Sequence, residues 1–213
     1  MEAKLEDNLS KQEKEELFDV LTEAFDKDDL LQKVFRDHVK SRRMLIKLTS
    51  LYYSYSGHIF VCRDKESKKI VGGAVWADEG YSPLTIPMLL FYPYLLLLFI
   101  WLIITDLPSM LRLMTVSDEI ERRRPRRKDH AYLYIIGSVR RGAGSLLMEE
   151  ARKYYGDKET LYLECSDPKV NERFYGKFGF KNVGYMEYSG VQEGFMARPG
   201  EDTTIEKYFE KQK

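Results

Sequence analysis

Two glycines one residue apart, Gly142 and Gly144, stand behind Arg140 and Arg141 in "SVRRGAGSLLMEEARKYY" (138–155), directly after the apolar run "AYLYIIG". That is where a strand should hand over to a helix. Successive backbone N–H groups at a helix start, aided by the helix dipole, bind phosphate oxygens. The glycines would let the main chain approach closely, and the arginines add charge at the rim. A tight turn with close packing uses the same residues, so both readings stand. Further on, "SDPKVNERFYGKFGF" (166–180) places Asn171 and Tyr175 four apart on an expected helix, hence on one face. A phenol, with an ordinary pKa of about 10, can give a proton to a leaving thiolate without being ionised at neutral pH. The alternative for Tyr175 is an aromatic packed beside Phe174 and Phe178.

A nucleophilic amine must lose a proton, so a carboxylate or imidazole near the strand ends is wanted. Glu164, inside the apolar stretch "TLYLECS" (160–166), would be costly there without a purpose or a partner. It reads equally as a general base or as half of a salt bridge or hydrogen bond to a neighbouring strand. His130, at a strand start, is the second candidate base, or a capping or surface histidine. Asp78 and Glu79 are candidates for attracting a cationic substrate. No metal site is expected.

Two phosphate motifs each lack a required residue, and the second stays only as a distant third reading. A P-loop needs Lys followed by Ser or Thr after its second glycine, whereas Gly144 precedes "SLL". A dinucleotide fingerprint needs a third small residue where Leu147 stands, although Glu164 imitates the ribose-binding acid.

The elements that must position these groups follow from periodicity. "SKQE" (10–13) fits a capping box opening a helix with Leu17, Leu21, Ala24 and Phe25 on one face. A second helix restarts at Asp28 or Asp29, with Leu31, Val34, Phe35 and Val39 on its buried stripe. "HIFVCRD" (58–64) and "KIVGGAVWAD" (69–78) form an antiparallel hairpin, in which Gly72 and Gly73 mark a bulge or a close approach. The second half reads as strand 130–137, helix 142–155, strand 160–166, helix 168–178 and strands near 180–188 and 193–198. That order implies a parallel pair with a right-handed crossover.

Between the hairpin and the second half, residues 81–105 carry no charge, and "LLLLFIWLII" (95–104) is wholly apolar. A membrane span needs about 20 apolar residues. Pro83, Pro87 and Pro93 break the first half, and one span would put the flanking strands on opposite sides of a bilayer. The expectation is therefore helices over 84–114, packed over the acceptor side of the sheet and not spanning a membrane. They would wall a pocket, form a dimer interface or contact a membrane surface. "ERRRPRRK" (121–128) reads as a solvated loop or a contact to anionic lipid.

The chain has 213 residues with 34 basic and 34 acidic side chains. Global attraction to nucleic acid is thus absent, and no nucleic-acid partner is expected. Cys62 and Cys165, one in each of two expected strands, read as reduced core residues of a cytoplasmic protein, and the acidic N-terminus excludes a secretory signal.

"R-R-G-x-G-S-L-L" followed, one strand later, by "N-x-x-F-Y-x-K-x-G-F" resembles the GNAT superfamily of acetyl-CoA-dependent N-acyltransferases over residues 130–198. A branch with a helical insertion between its third and fourth strands is similar in the "H-x-Y-L" of His130–Leu133 and the "Y-L-E" of Tyr162–Glu164. The resemblance implies an α/β (α+β) fold with a mixed, partly parallel sheet flanked by helices, in one domain spanning 1–213 with an insertion at about 79–129. It implies transfer of acetyl from acetyl-CoA to a primary amine of a small molecule. The backbone of Arg140, Arg141, Gly142, Ala143, Gly144 and Ser145 would hold the pyrophosphate. Ile135, Ile136 and Gly137 would run beside the pantetheine arm, Asn171 would hydrogen-bond the cofactor, and Tyr175 would point at its sulfur. Val139 stands where the superfamily carries Gln or Arg, and the link from Gly137 to Gly142 is shorter than usual. These departures keep a second reading, a catalytically degenerate binding module.

Overall fold

The computed structural model describes residues 1–124, 129–201 and 204–205. Arg-rich residues 125–128, part of the expected solvated or lipid-contacting loop, lie outside the described residues. Chain order is β1 (Glu2–Leu5), α1 (Lys11–Ala24), α2 (Asp29–Phe35), α3 (Val39–Ser54), β2 (Gly57–Arg63) and β3 (Ile70–Ala77). There follow α4 (Ile86–Leu89), α5 (Pro93–Arg123), β4 (Ala131–Ser138), α6 (Ala143–Tyr155), β5 (Leu161–Ser166), α7 (Pro168–Gly176), β6 (Lys181–Tyr188) and β7 (Val191–Arg198). The strands form one seven-stranded mixed sheet in the order β1-β2-β3-β4-β5-β7-β6. Among the described residues only β4 and β5 pair in parallel, joined by the α6 crossover.

Helices α1 and α3 cover one face of the sheet, with Leu17, Leu21, Ile46 and Leu48 packed against Val61, Val75 and Ile135. Helices α6 and α7 cover the other, with Leu147, Met148 and Tyr175 against Trp76, Leu133 and Leu163. The capping box is formed: Glu13 N–H donates to Ser10 Oγ and Ser10 N–H to Glu13 Oε2. Gly73 allows the close approach expected of it, because a Cβ there would sit 2.2 Å from Leu17 Cδ1.

Three elements differ from the sequence-based expectation. Glu2–Leu5 adds an edge strand to β2. The second helix stops at Phe35, and Arg36 follows it at positive φ. Val39, expected on that helix's buried stripe, instead opens the separate helix α3 and is half exposed. The segment expected to hold helices does so in α4 and α5, but α5 lies mainly across α2 and α3 and not flat on the sheet.

Helix α5 breaks at Asp106, whose φ of −153° is non-helical. Pro108 removes a helical N–H and clashes with the preceding turn, so the chain restarts there. Asp106 Oδ1 accepts from Ser109 N–H as a local cap, and His38 Nδ1 lies 3.1 Å from Oδ2. Burial would raise this carboxyl, but hydrogen bonds from Ser109 and Ser41 hold it below the usual range. By length and composition α5 could cross a membrane. A single crossing, however, would separate β3 from β4, which pair from Gly72↔Ser138 to Ala77↔Tyr132. One face of α5 and its approach is exposed and apolar, through Leu90, Phe91, Leu97, Ile100, Ile104 and Leu111.

Candidate active site

The parallel pairing of β4 with β5 runs only from Ala131↔Leu161 to Leu133↔Leu163. A register shift in the β3–β4 pairing between Val75 and Trp76 leaves Tyr134 unmatched and bends β4 away. Beyond Leu133 and Leu163 the two strands part, which leaves unpaired backbone groups inside a sheet. Such an opening is a template for an extended ligand rich in amides.

The parting forms a cleft of about 750 Å³ that reaches both faces of the sheet. Its far wall is the start of α6. Gly142 caps that helix at φ 89°, a conformation that strains any residue with a Cβ. Leu146 N–H makes the first helical bond, to the Gly142 carbonyl. The amides of Gly144 and Ser145 thus belong to the first turn, where helical partners are lacking and anions bind.

Of the residues singled out in the sequence, Ile135, Ile136, Gly137, Arg141, Gly142, Gly144, Ser145, Asn171, Tyr175 and Glu164 all line this cleft. Arg140 and Ala143 do not. The Arg140 guanidinium pairs with Asp64 in the β2–β3 turn. Ala143 is fully buried and its N–H donates to the Arg140 carbonyl, so that amide is spent within the turn. Asn171 Nδ2 donates to the Ser166 carbonyl, which ties α7 to the end of β5. Tyr175 is buried, and burial followed by the nearby Cys165 raises its phenol above the ordinary value. Cys165 also lines the cleft. Burial first, then Glu193 and Glu172, push its thiol up to about 12.

Glu164 has the ion-pair partner that was one of its two readings. Arg124, the C-cap of α5, donates from Nε to Glu164 Oε1 at 2.5 Å and from Nη2 to Oε2 at 2.8 Å. Tyr132 Oη donates to the same Oε2 at 2.7 Å. Burial opposes ionisation, but Arg124 and the hydroxyls outweigh it and hold the carboxyl below its usual range. A carboxylate fixed in this way is a weak proton acceptor, so the arrangement argues against Glu164 as the general base.

The second candidate base and the two candidate substrate-attracting acids lie elsewhere. His130 is buried, with Nε2 3.3 Å from Tyr81 Oη and its ring against Tyr162. Asp78 accepts from Tyr155 Oη at 3.0 Å beside His58. With Glu79 it follows the end of β3 that pairs with the start of β4, and neither lines the cleft.

Sequence reasoning missed Glu193. On β7 it pairs directly opposite Ser166, is 4% exposed and lines the cleft, with Oε1 lacking any hydrogen-bond partner. Burial first, then the negative charges of Asp28 and Glu164, raise it to about 8. Asp28 was also passed over as a helix start. Its Oδ1 caps α2 at Leu31 N–H, and its Oδ2 accepts from Ser166 Oγ in the cleft.

A sheet parted between two parallel strands, with a helix N-terminus closing the gap, defines the fold of the GNAT acetyltransferases, and this chain has it. Solved structures agree. A protein described as histone acetyltransferase HPA2 and related acetyltransferase, from Corynebacterium glutamicum, is 22% identical, with a TM-score of 0.65 over 96% of this chain and 100% of that one. The C-terminal condensation domain of Ebony, solved with beta-alanyl-dopamine, is 12% identical with a TM-score of 0.58 over 92% and 97%. A putative arylalkylamine N-acetyltransferase 7 from the yellow fever mosquito is 12% identical with a TM-score of 0.52 over 92% and 86%. No family model and no curated protein matches the chain.

Proposed function

We propose that this protein is an N-acetyltransferase that moves an acetyl group from acetyl-CoA to a primary amine of a small molecule. The observation that carries this reading is the joint cleft. One opening brings together the parted β4 and β5, the first turn of α6, Asn171 and Tyr175. Pyrophosphate oxygens are held by the amides of Gly142, Gly144 and Ser145 with Arg141 at the rim. The pantetheine arm runs along Ile135–Gly137, adding its amides to the open strand edge.

The amine attacks the thioester carbonyl carbon directly, the C–N bond forms and the C–S bond breaks. Tyr175, kept protonated by its burial, gives its proton to the departing thiolate. A covalent acyl-cysteine is disfavoured, because the Cys165 thiol stays protonated at neutral pH. Glu164 serves as an anchor for the end of α5. The two cysteines are free and buried, which supports a reducing, cytoplasmic setting. The chain acts as one domain with residues 79–129 inserted, and the exposed stripe of α5 is its surface for a second copy or a lipid headgroup layer.

Calorimetric titration with acetyl-CoA tests the reading. Binding at micromolar to sub-millimolar concentration is expected, and no heat and no thermal stabilisation at millimolar cofactor would refute it. A second reading, a silent binding module, draws on the Arg124–Glu164 pair, which takes away the acid expected as base. Steady turnover of any amine removes that reading.

A further inference from the structure

Nothing in the proposed chemistry uses Glu193, yet it is a buried acid that lines the cleft with one carboxylate oxygen unpartnered. Antiparallel partners share a face, so Glu193 opposite Ser166 and Phe195 opposite Glu164 all project on the side covered by α1–α3. Tyr175 comes from the other side, with the α6–α7 cluster. The parted strands join the two sides in one cleft. On the Glu193 side that cleft is walled by Phe25, Leu30, Leu31, Leu45 and Ile46.

We infer that Glu193 is the carboxylate that receives the acceptor's ammonium group and takes its proton, and that the acceptor is a monoamine with an apolar body. This rests on the reading of the protein as an acetyl-CoA-dependent N-acetyltransferase. A buried carboxylate oxygen without a hydrogen-bond donor is costly, and a bound ammonium group supplies the missing donor. The two charges that act most on it, those of Asp28 and Glu164, are negative and favour a cation. Asp28 faces the cleft from the start of α2 and Glu164 from β5 is already matched by Arg124, while the cations Lys27 and Arg141 also line the cleft, Arg141 at the phosphate rim. Ser166, held by Asp28, lies across from Glu193 and fixes the depth of the polar end. The remaining wall offers aliphatic and aromatic carbon, which matches an alkyl or arylalkyl chain and not a second charged group.

The protons balance. Of the three on the ammonium nitrogen, one passes to Glu193 and then to solvent. One reaches the CoA sulfur by way of the Tyr175 hydroxyl, and the third stays on the amide. Burial and the neighbouring acids make Glu193 a stronger base than an ordinary carboxylate, which suits the role.

Two measurements on the full-length protein test this. Binding of 2-phenylethylamine without acyl donor, read by calorimetry, should be at least about tenfold weaker in Glu193→Gln, and ethanolamine should bind wild type less well than 2-phenylethylamine. Equal amine affinity in the variant, or no amine binding by wild type, overturns the inference. In turnover with acetyl-CoA, Glu193→Gln should lower kcat/KM by about a hundredfold and remove the limb that rises toward pH 8, with partial rescue in Glu193→Asp. An unchanged rate and pH profile overturns it equally. Far-UV circular dichroism and acetyl-CoA affinity of each variant identify any loss of fold. Absent acetyl-CoA binding by wild type would sink the acetyltransferase reading instead, while the amine titration still decides the case for Glu193.

Discussion

Replacing Arg124 by Met isolates what the end of α5 does for the sheet. The guanidinium and the Glu164 carboxylate are each nearly sealed from water, with side-chain exposures of 13% and 11%. Removing one partner of such a pair leaves a buried charge uncompensated, which costs about 3–5 kcal/mol. Tyr132 Oη still donates to Oε2, so the lower half of that range is expected. For a chain of this size, about 3 kcal/mol corresponds to a fall in Tm of roughly 6–12 °C. The pH dependence fixes the cause. In wild type, Arg124 and the hydroxyls depress the Glu164 carboxyl against the effect of burial. Its stabilising contribution is therefore present above the unfolded-state value and is lost as pH falls through the lower folded value. In Arg124→Met, burial wins and the folded value rises above the unfolded one. The deficit of the variant should then grow from pH 5 to pH 8. Arg124→Met/Glu164→Gln, in which both charges are gone, should recover all but about 1–2 kcal/mol. Urea unfolding followed by circular dichroism at both pH values reads all of this. A single-variant cost below about 1 kcal/mol, or one independent of pH, would refute the reasoning.

Glu193 gives the opposite sign. Its folded-state value, raised to about 8, keeps it protonated where the unfolded chain has already ionised. Wild type should therefore lose stability relative to Glu193→Gln as pH rises from about 4.5 to about 8, by at most roughly 4–5 kcal/mol, measured as the pH trend of ΔΔG. Tyr175→Phe should lower turnover at least about tenfold with acetyl-CoA affinity nearly intact, by steady-state kinetics and calorimetry. Gly142→Ala, at a backbone angle disfavoured for a Cβ, should weaken acetyl-CoA binding and cost about 1–2 kcal/mol of stability. Leu97→Lys/Ile104→Lys alters two exposed side chains (64% and 78%) of α5. It should shift unfolding by less than about 1 kcal/mol while reducing self-association or pelleting with anionic liposomes.

Much of the second half was legible because each signal there was local. The apolar runs at 130–137 and 160–166, the glycine-marked helix start at Gly142, and the i, i+4 spacing of Asn171 and Tyr175 all survive in the folded chain. Helix α3 was hidden by its composition. It buries Ser41, Arg42, Thr49 and Ser50, so its inner face does not read as an apolar stripe. Arg42 is tolerated there because Asp26, from the loop between α1 and α2, meets its guanidinium at 2.6 Å. The Arg124–Glu164 pair joins residues 40 positions apart, and no spacing rule connects a helix end to a strand interior. Glu193 looks like any solvent-facing acid on a strand until the β5–β7 register turns it toward Ser166. What was missed was long-range pairing; what was read was periodicity.

The antiparallel pairing of Ala77 with Tyr132 brings the two ends of the segment between β3 and β4 side by side. Residues 78–130 are then, topologically, one overgrown hairpin loop. The entropy of closing a loop rises only with the logarithm of its length, each doubling adding about 0.6 kcal/mol. A long segment at this position therefore adds little to the difficulty of pairing β3 with β4. Such a site can gain or lose a whole helical module in one genetic event while the strand order stays untouched. Refashioning the surface over α2 and α3 is thereby separated from the sheet that holds the cleft open.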